Sequence, residues 1–336
     1  MPWADYTARA LTRIGHAPVI FHYTDIGVAR LTLRKGRQWA SSIPGADSAL
    51  RALREDWHRR RDRRLVRLAS RLHPDLILAL HGESLSPELL GELRRNSQGP
   101  LVTWWMDEPF RYGAERLLPL YDTVFLFDRS YIPQIRALGA KDVRFLPCAC
   151  DEEVYRPMDL PPGQRKRYGC DVALVGWFYP RRAELIRALS GLDLKVWGKG
   201  WRTPEAKTAL NGAGHRVVPE ERFVTDRETA RIYNAAKIGL NVHSRQTREA
   251  GLNTRAFELL AAGTFQLTDA VPGMEELLEP GREVAVFRSA EEGRSLADYY
   301  LRHPQERAEM AARGRERVLR EHTYTHRMQS LLRVVK

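Results

Sequence analysis

Short apolar runs of four to six residues recur along this chain, each set apart from the next by helical or turn-forming sequence. Residues 75–80, 101–105, 123–127 and 143–146 form a first series. Residues 171–175, 194–197, 238–242, 264–268 and 283–287 form a second. Strands this short and this uniformly apolar need cover on both faces, and the intervening helices supply it. The pattern predicts parallel sheets in an α/β fold. Between the two series, residues 147–168 hold Pro147, Pro157, Pro161, Pro162 and Gly163 and show no periodicity. That stretch reads as an interdomain linker. A length of 336 residues suits two domains, each with its own core. The expected division is an amino-terminal domain over 1–146, a second doubly wound domain over 169–321, and a tail over 322–336.

The amino-terminal domain opens unusually. Residues 3–14 read as a helix and 17–23 as a strand after the turn Gly15-His16. A doubly wound domain normally starts with a strand and a glycine-rich turn before its first helix. Here Met1 stands where that turn belongs. The usual first strand is therefore expected to be missing, either because the true start lies upstream or because the strand was lost.

Composition narrows the class. Hydrophobic residues make up 43% and charged residues 29%, as in a globular protein. No apolar run approaches the roughly 20 residues needed to span a bilayer. No signal-peptide pattern opens the chain. Cys148, Cys150 and Cys170 give neither metal-ligand spacing nor a disulfide framework, which fits a reducing cytoplasm. The net charge of +12 is uneven. Residues 46–72 read as a long basic helix that includes Arg59-Arg-Arg-Asp-Arg-Arg64. Such a surface suits a polyanion: nucleic acid, anionic lipid at the inner face of a membrane, or a phosphorylated substrate. It is equally the pattern of a solvated helix, and no motif with base-reading geometry accompanies it.

The segment from Gly251 to Asp269 reads as a helix followed by a buried strand. At about 100° per residue, Gly251, Arg255, Glu258 and Ala262 share one face. Leu252, Ala256, Phe257, Leu259 and Leu260 fall elsewhere and can meet a core, and Gly263 stands where a left-handed cap belongs. The polar face has the parts of an anion site. Gly251 opens the helix start, Arg255 adds a cation, and Glu258 can accept hydrogen bonds from a vicinal diol such as a ribose. A plain Arg–Glu surface pair gives the same spacing.

This segment resembles the donor-binding motif of GT-B glycosyltransferases, and within them the CgeB-like (spore maturation protein) branch. The resemblance rests on Gly251-Leu-Asn-Thr-Arg-Ala-Phe-Glu258, on Ala262-Gly-Thr-Phe-Gln-Leu-Thr-Asp269, and on Glu279-Pro-Gly-Arg-Glu283. It implies two Rossmann-like domains facing a cleft, a tail over 322–336 packing back on the first domain, a nucleotide-sugar donor, and a ribose held by Glu258, with Asn253 in the same donor motif. One departure stands out. Related retaining enzymes carry two glutamates seven residues apart, and here Ala250 occupies the first position, with Glu249 one residue off.

Further motifs fit the same expectation. Val175-Gly-Trp-Phe-Tyr-Pro-Arg-Arg182 is a strand end, a turn and a helix start. Gly176 permits close approach, Pro180 suits a first helical turn, and Arg181 or Arg182 could face a diphosphate. The family pattern has an arginine matching Arg182. Trp197-Gly-Lys-Gly-Trp201 is a turn that, by the resemblance, lines the donor cleft with Lys199. It is not a P-loop. Trp104-Trp-Met-Asp-Glu-Pro109 matches the amino-terminal domain of the family. Asp107 there could act as general base, hold the acceptor, or simply cap the next helix, and His81 could do the same work. Glu83, Glu108, Asp128, Gly198 and Asp269 also follow strand ends, where open α/β sheets bind ligands. Asp128, Tyr131, Leu146-Pro-Cys-Ala-Cys-Asp151 and Tyr155-Arg-Pro157 recur in the family and are assigned to the hinge. Nothing supports hydrolase or metalloenzyme chemistry.

The expectation is a metal-independent GT-B glycosyltransferase with no cofactor, moving a sugar from a nucleotide diphosphate to an unidentified hydroxyl acceptor. Its rivals are a non-catalytic polyanion- or nucleotide-binding protein and a GT-B sugar-nucleotide epimerase.

Overall fold

A computed structural model describes residues 2–23, 46–210 and 218–335. The chain divides into two compact units. One is Met1–Leu126 with Tyr131–Arg144 and Val335; the other is Phe127–Ser130 with Phe145–Val334 and Lys336.

The first unit holds α1 (Trp3–Arg13), α2 (Ala46–Leu72), β1 (Ile77–Leu80), α3 (Pro87–Arg95), β2 (Leu101–Trp105), β3 (Thr123–Leu126), α4 (Ile132–Ala137) and most of β4 (Val143–Phe145). The sheet order is β1-β2-β3-β4. β2 lies parallel to both neighbours, with Leu101 opposite Ile77 and Val102 opposite Thr123. Every residue of β2 and β3 is buried, which explains an apolar sequence broken only by Thr103 and Thr123. Helix α3 begins where Ser86 accepts a hydrogen bond from Leu89 N–H and Pro87 takes the first turn. Residues 17–23, expected as a strand, join no sheet among the described residues. Val19 and Ile20 stay 61% and 38% exposed. Tyr23 instead caps the end of β1, donating to Leu80 O and accepting from Gly82 N–H.

The second unit opens with α5 (Pro162–Tyr168), inside the stretch read as linker. It continues with β5 (Cys170–Val175), α6 (Pro180–Ala188), β6 (Leu194–Gly198), α7 (Pro204–Ala209), β7 (Val218–Glu221), α8 (Asp226–Ala235) and β8 (Ala236–Asn241). Then come α9 (Thr254–Ala261), β9 (Gln266–Asp269), β10 (Ala285–Phe287), α10 (Ala290–Arg302), α11 (Pro304–Glu321) and α12 (Tyr324–Val335). The six strands run parallel in the order β10-β9-β8-β5-β6-β7. From β5 the chain winds outward to β7, then returns to β8 and winds the other way. The strand order therefore reverses between β5 and β8, the place where such sheets bind ligands. Val172, Leu174, Val196, Ile238, Leu240 and Leu267 build the core. The tail helix α12 is tied to this unit by Arg327, whose buried guanidinium donates to Pro147 O and Cys148 O.

Helix α9 ends as its sequence requires. Gly263 takes φ +77°, its N–H donates to Leu260 O, and Thr264 N–H donates to Leu259 O. These two bonds form a Schellman cap, which turns the chain directly into β9.

Candidate active site

The carboxyl ends of β5 and β8 flank the point of strand reversal. Gly176 follows β5. A Cβ there would lie 2.6 Å from Arg182 Nη1 and 3.0 Å from Arg255 Nη2. Only a glycine lets both guanidiniums close on this turn. Gly198, at the end of β6, is constrained in the same way. Its φ is +143°, and a Cβ would meet Gly176 O at 2.0 Å.

Arg182 arrives from the first turn of α6 and is 4% exposed. It spans the reversal. Nε and Nη2 donate to Val242 O at 3.3 and 2.9 Å, and Nη1 donates to Trp177 O at 2.6 Å. The guanidinium also sits 4.7 Å from the centre of the Tyr179 ring. Burial and the neighbouring Arg255 charge pull its pKa down to about 9, so it stays cationic near neutrality. Arg255 comes from the first turn of α9, and its Nη1 donates to Asn241 Oδ1 at 3.4 Å. Neither arginine makes an ion pair among the described residues. The carboxylate at the end of β9, Asp269, is engaged elsewhere. It accepts from His243 N–H at 2.9 Å, meets His243 Nδ1 at 2.8 Å, and pairs with Arg181 at 3.2 Å. Burial pushes its carboxyl up, but the His243 hydrogen bonds and the Arg181 charge outweigh that and hold it below the usual range.

Asn253 caps α9, accepting from Ala256 N–H at 3.1 Å and donating to Asn241 Oδ1 at 3.0 Å. The cap fixes the helix start beside β8, with its dipole directed at the same place. Glu258, one turn further, is half-buried. Burial and the nearby Asp226 push its carboxyl up to about 7, against Arg255 and hydrogen bonds from Thr254 and Tyr155. Gly251 has a structural reason to be glycine: a Cβ would lie 2.2 Å from Asp128 Oδ2. That oxygen accepts from Arg248 N–H and Glu249 N–H at 2.6 and 3.0 Å, which anchors the loop before α9. Lys199 is exposed on the turn after β6, where its carbonyl accepts from Phe178 N–H.

The structure thus gathers Gly176, Arg182, Arg255 and Asn253 around one strand reversal, with Glu258 on the same helix as Arg255. Asn241 and His243 were missed in the sequence. Their only signal is a polar residue at alternate positions where the apolar strand Ile238-Gly-Leu-Asn-Val-His243 ends.

In the first unit, His81 ends β1 with φ +69°. Its ring stacks on Trp105 at 5.0 Å and lies 5.1 Å from Trp3. Nε2 accepts from Met106 N–H at 3.1 Å, so the ring proton of the neutral form sits on Nδ1. Burial lowers its pKa to about 4, against the charge of Asp107. His81 is therefore a neutral hydrogen-bond donor through Nδ1, and a poor base. Asp107 accepts from Glu108 N–H at 2.8 Å and stands 3.7 Å from Arg111.

Comparison with known proteins points the same way. Residues 181–333 match the family described as glycosyl transferase-like. The spore protein CgeB of Bacillus subtilis (strain 168) is 24% identical over 252 residues, covering 71% of this chain and 76% of that one. The chain is similar to CgeB-like glycosyltransferases and has the GT-B fold. Solved structures share that fold at low identity. Anabaena Alr3699/HepE in complex with UDP and glucose superposes with a TM-score of 0.62 at 15% identity, covering 85% of this chain and 88% of that one. Sucrose-phosphate synthase from Thermosynechococcus elongatus gives 0.61 at 15% identity, covering 99% and 92%. Trehalose-6-phosphate from E. coli bound with UDP-2-fluoro glucose gives 0.58 at 13% identity, covering 83% and 78%. The matched family segment begins at Arg181 and takes in Arg182, Arg255 and Glu258.

Proposed function

We propose that the second unit binds the nucleoside diphosphate of a nucleotide-sugar through Arg182, Arg255 and the start of α9, with Glu258 on the ribose hydroxyls. One observation carries this reading: two guanidiniums meet at Gly176 with no ion-paired carboxylate between them, at the strand reversal. A diphosphate supplies the missing negative charge. As the sugar departs, the same two cations stabilise the leaving group without calling on a metal ion. Lys199, on the next turn, adds a mobile cation. Asn253 serves the donor indirectly by fixing the helix start, and Gly251 does so by holding the loop against Asp128. On the first unit, His81 presents Nδ1–H to an acceptor hydroxyl, and Asp107 holds the turn beside it.

Known neighbours bind UDP or UDP-glucose, so UDP-glucose is the first donor to try in a nucleotide-sugar panel. The test is thermal stabilisation by the panel, followed by acceptor-dependent release of nucleoside diphosphate. Stabilisation without such release would favour a binding protein, and turnover to an epimeric sugar nucleotide would favour an epimerase.

The basic helix gives the proposal a location. No helix among the described residues is long and apolar enough to cross a membrane. On α2, Arg60, Arg63, Arg64, Arg67 and Arg71 are exposed and fall on one face. This stripe suits contact with an anionic membrane surface. Arg61, although part of the 59–64 run, is excluded from it. Its guanidinium is buried and donates to Ser84 O and Tyr23 O.

A further inference from the structure

We propose that Asn241 is the positioning residue for Arg255: its neutral side-chain oxygen holds the guanidinium and the start of α9 together, and leaves the charge free for a diphosphate. This deepens the donor reading above and rests on it. The observations lie within the second unit. Helix α9 lies directly on β8, where a Cβ on Gly239 would stand 2.1 Å from Leu259 Cδ2. Asn241 is two residues further, so its side chain leaves the sheet on the same face. It ends the strand and is fully buried. Its Oδ1 accepts from Asn253 Nδ2 at 3.0 Å and from Arg255 Nη1 at 3.4 Å. Asn253 is the N-cap of α9, and Arg255 belongs to its first turn. One oxygen therefore ties both the helix start and its cation to the strand end.

The orientation of this amide follows from its partners. An arginine only donates. Asn253 Oδ1 already accepts from Ala256 N–H at 3.1 Å, so Asn253 turns its N–H toward Asn241. The Asn241 atom facing both must be the oxygen. Its Nδ2 is then left buried, without a hydrogen-bond partner among the described residues. A carboxylate of the same shape would accept the same two bonds, more strongly because it is charged, and would leave no N–H unpaired. Stability alone gives no reason to prefer asparagine here.

The difference lies in charge. Arg255 makes no ion pair among the described residues, and an aspartate at position 241 would give it one. The next residue of the same strand end follows the same rule. Val242 O accepts from Arg182 Nε and Nη2 at 3.3 and 2.9 Å. Two consecutive residues thus hold two guanidiniums through oxygens that carry no full charge. The guanidiniums meet at Gly176, where a Cβ would lie 2.6 Å from Arg182 Nη1 and 3.0 Å from Arg255 Nη2. Held this way, they form a doubly positive pair whose geometry is set before a ligand arrives. Such a pair favours a ligand with at least two negative charges and spares it the cost of ordering the site. Asn241 acts through Arg255, and not on the ligand directly.

Inorganic pyrophosphate and UDP probe this by calorimetry, the first without a base. In Asn241→Asp, Kd for both should rise about tenfold or more, because a carboxylate within hydrogen-bond reach of Arg255 competes with the ligand for its charge. The ligand-free variant should melt no lower than wild type. In an Arg255→Gln background the same substitution should cost at least about threefold less affinity, the signature of two residues that act together. A merely structural Asn241 would lower the melting temperature and cost the same affinity in both backgrounds. That result overturns the proposal, as does unchanged pyrophosphate and UDP affinity in Asn241→Asp. Should Asn241→Asp not fold, Asn241→Ser decides. Its shorter side chain carries no charge and cannot reach both partners, so pyrophosphate affinity must fall about threefold or more, and unchanged affinity overturns the assignment. The donor reading fails separately. A wild-type protein that binds pyrophosphate but no nucleotide of the panel loses the donor and keeps the role of Asn241, and one that binds neither loses both.

Discussion

Glu258 gives the sharpest test of the donor site, because affinity and stability should respond in opposite directions. Its carboxyl is raised from 4.5 to about 7 by burial and by Asp226. Ribose hydroxyls donate to the ionised form, so donor binding draws on the carboxylate. With a midpoint near 7, the ionised fraction rises roughly tenfold between pH 6 and pH 8, and Kd should fall by about the same factor. UDP-glucose is the right ligand, because the terminal phosphate of UDP itself titrates near pH 6. Glu258→Gln keeps the shape, removes the charge and replaces one acceptor with a donor. Hydrogen bonds to charged groups contribute about 1.5–3 kcal/mol, so affinity at pH 8 should drop roughly tenfold to over a hundredfold. The pH dependence should flatten at the same time. A 2′,3′-dideoxy analogue, having no hydroxyls to lose, should show little difference between the proteins. Stability behaves differently. A carboxyl raised on folding contributes stability that is fully present below its unfolded value near 4.5. That contribution is lost as pH rises through about 7. At pH 8 the ligand-free Glu258→Gln protein should therefore melt higher than wild type while binding the donor more weakly. Calorimetric titration and thermal melts at the two pH values measure both. Unchanged affinity at pH 8, or a wild-type Kd that is flat with pH, refutes the assignment.

Five other changes separate roles that the sequence leaves merged. Arg255→Gln should weaken UDP-glucose binding about tenfold or more with little change in melting temperature, whereas Arg182→Gln should lower both, because only Arg182 ties Val242 O to Trp177 O; calorimetry beside thermal melts tells the two apart. Gly251→Ala should cost about 1–3 kcal/mol of stability by denaturant titration, since its Cβ would collide with Asp128 Oδ2. Gly163→Ala, in the open part of α5, should cost nothing by the same measurement. Replacing Arg63, Arg64, Arg67 and Arg71 with glutamine should weaken co-sedimentation with anionic vesicles by about 1 kcal/mol per residue, and unchanged sedimentation would remove the membrane contact.

The legible parts of this fold are those where local sequence and tertiary demand coincide. β2 is buried on both faces and reads as an apolar run broken only by Thr103. The basic helix α2 runs over Ala46–Leu72, the whole of the stretch its pattern suggested. The Gly263 cap follows from the periodicity of α9. The failures have specific causes. β7 is Val-Pro-Glu-Glu at the edge of its sheet. A proline is tolerated at such an edge, and no apolar pattern announces it. α5 was hidden because Pro161 and Pro162 read as a breaker, although proline is equally a helix-start residue. At the donor site, Arg182, Arg255 and Glu258 were visible as residue types near strand ends. The meeting of Arg182 and Arg255 at Gly176 depends on the reversal of strand order, which no local window contains.

The disposition of Asp269 argues that the donor site is arranged and not incidental. A buried arginine is normally kept by pairing it, because an isolated buried charge is costly. Here the carboxylate at the adjacent strand end is present but spent. His243 takes one oxygen through both its backbone N–H and its ring, and Arg181 takes the other. Arg182 is left to satisfy itself on main-chain carbonyls, which accept its protons without cancelling its charge. Asn241 Nδ2 and Arg255 Nε are also buried and without hydrogen-bond partners among the described residues. A sheet end optimised for stability alone would have let Asp269 meet Arg182. Local rules broken together at one place are what a site filled from outside the chain looks like, and the diphosphate proposed above would engage both guanidiniums at once.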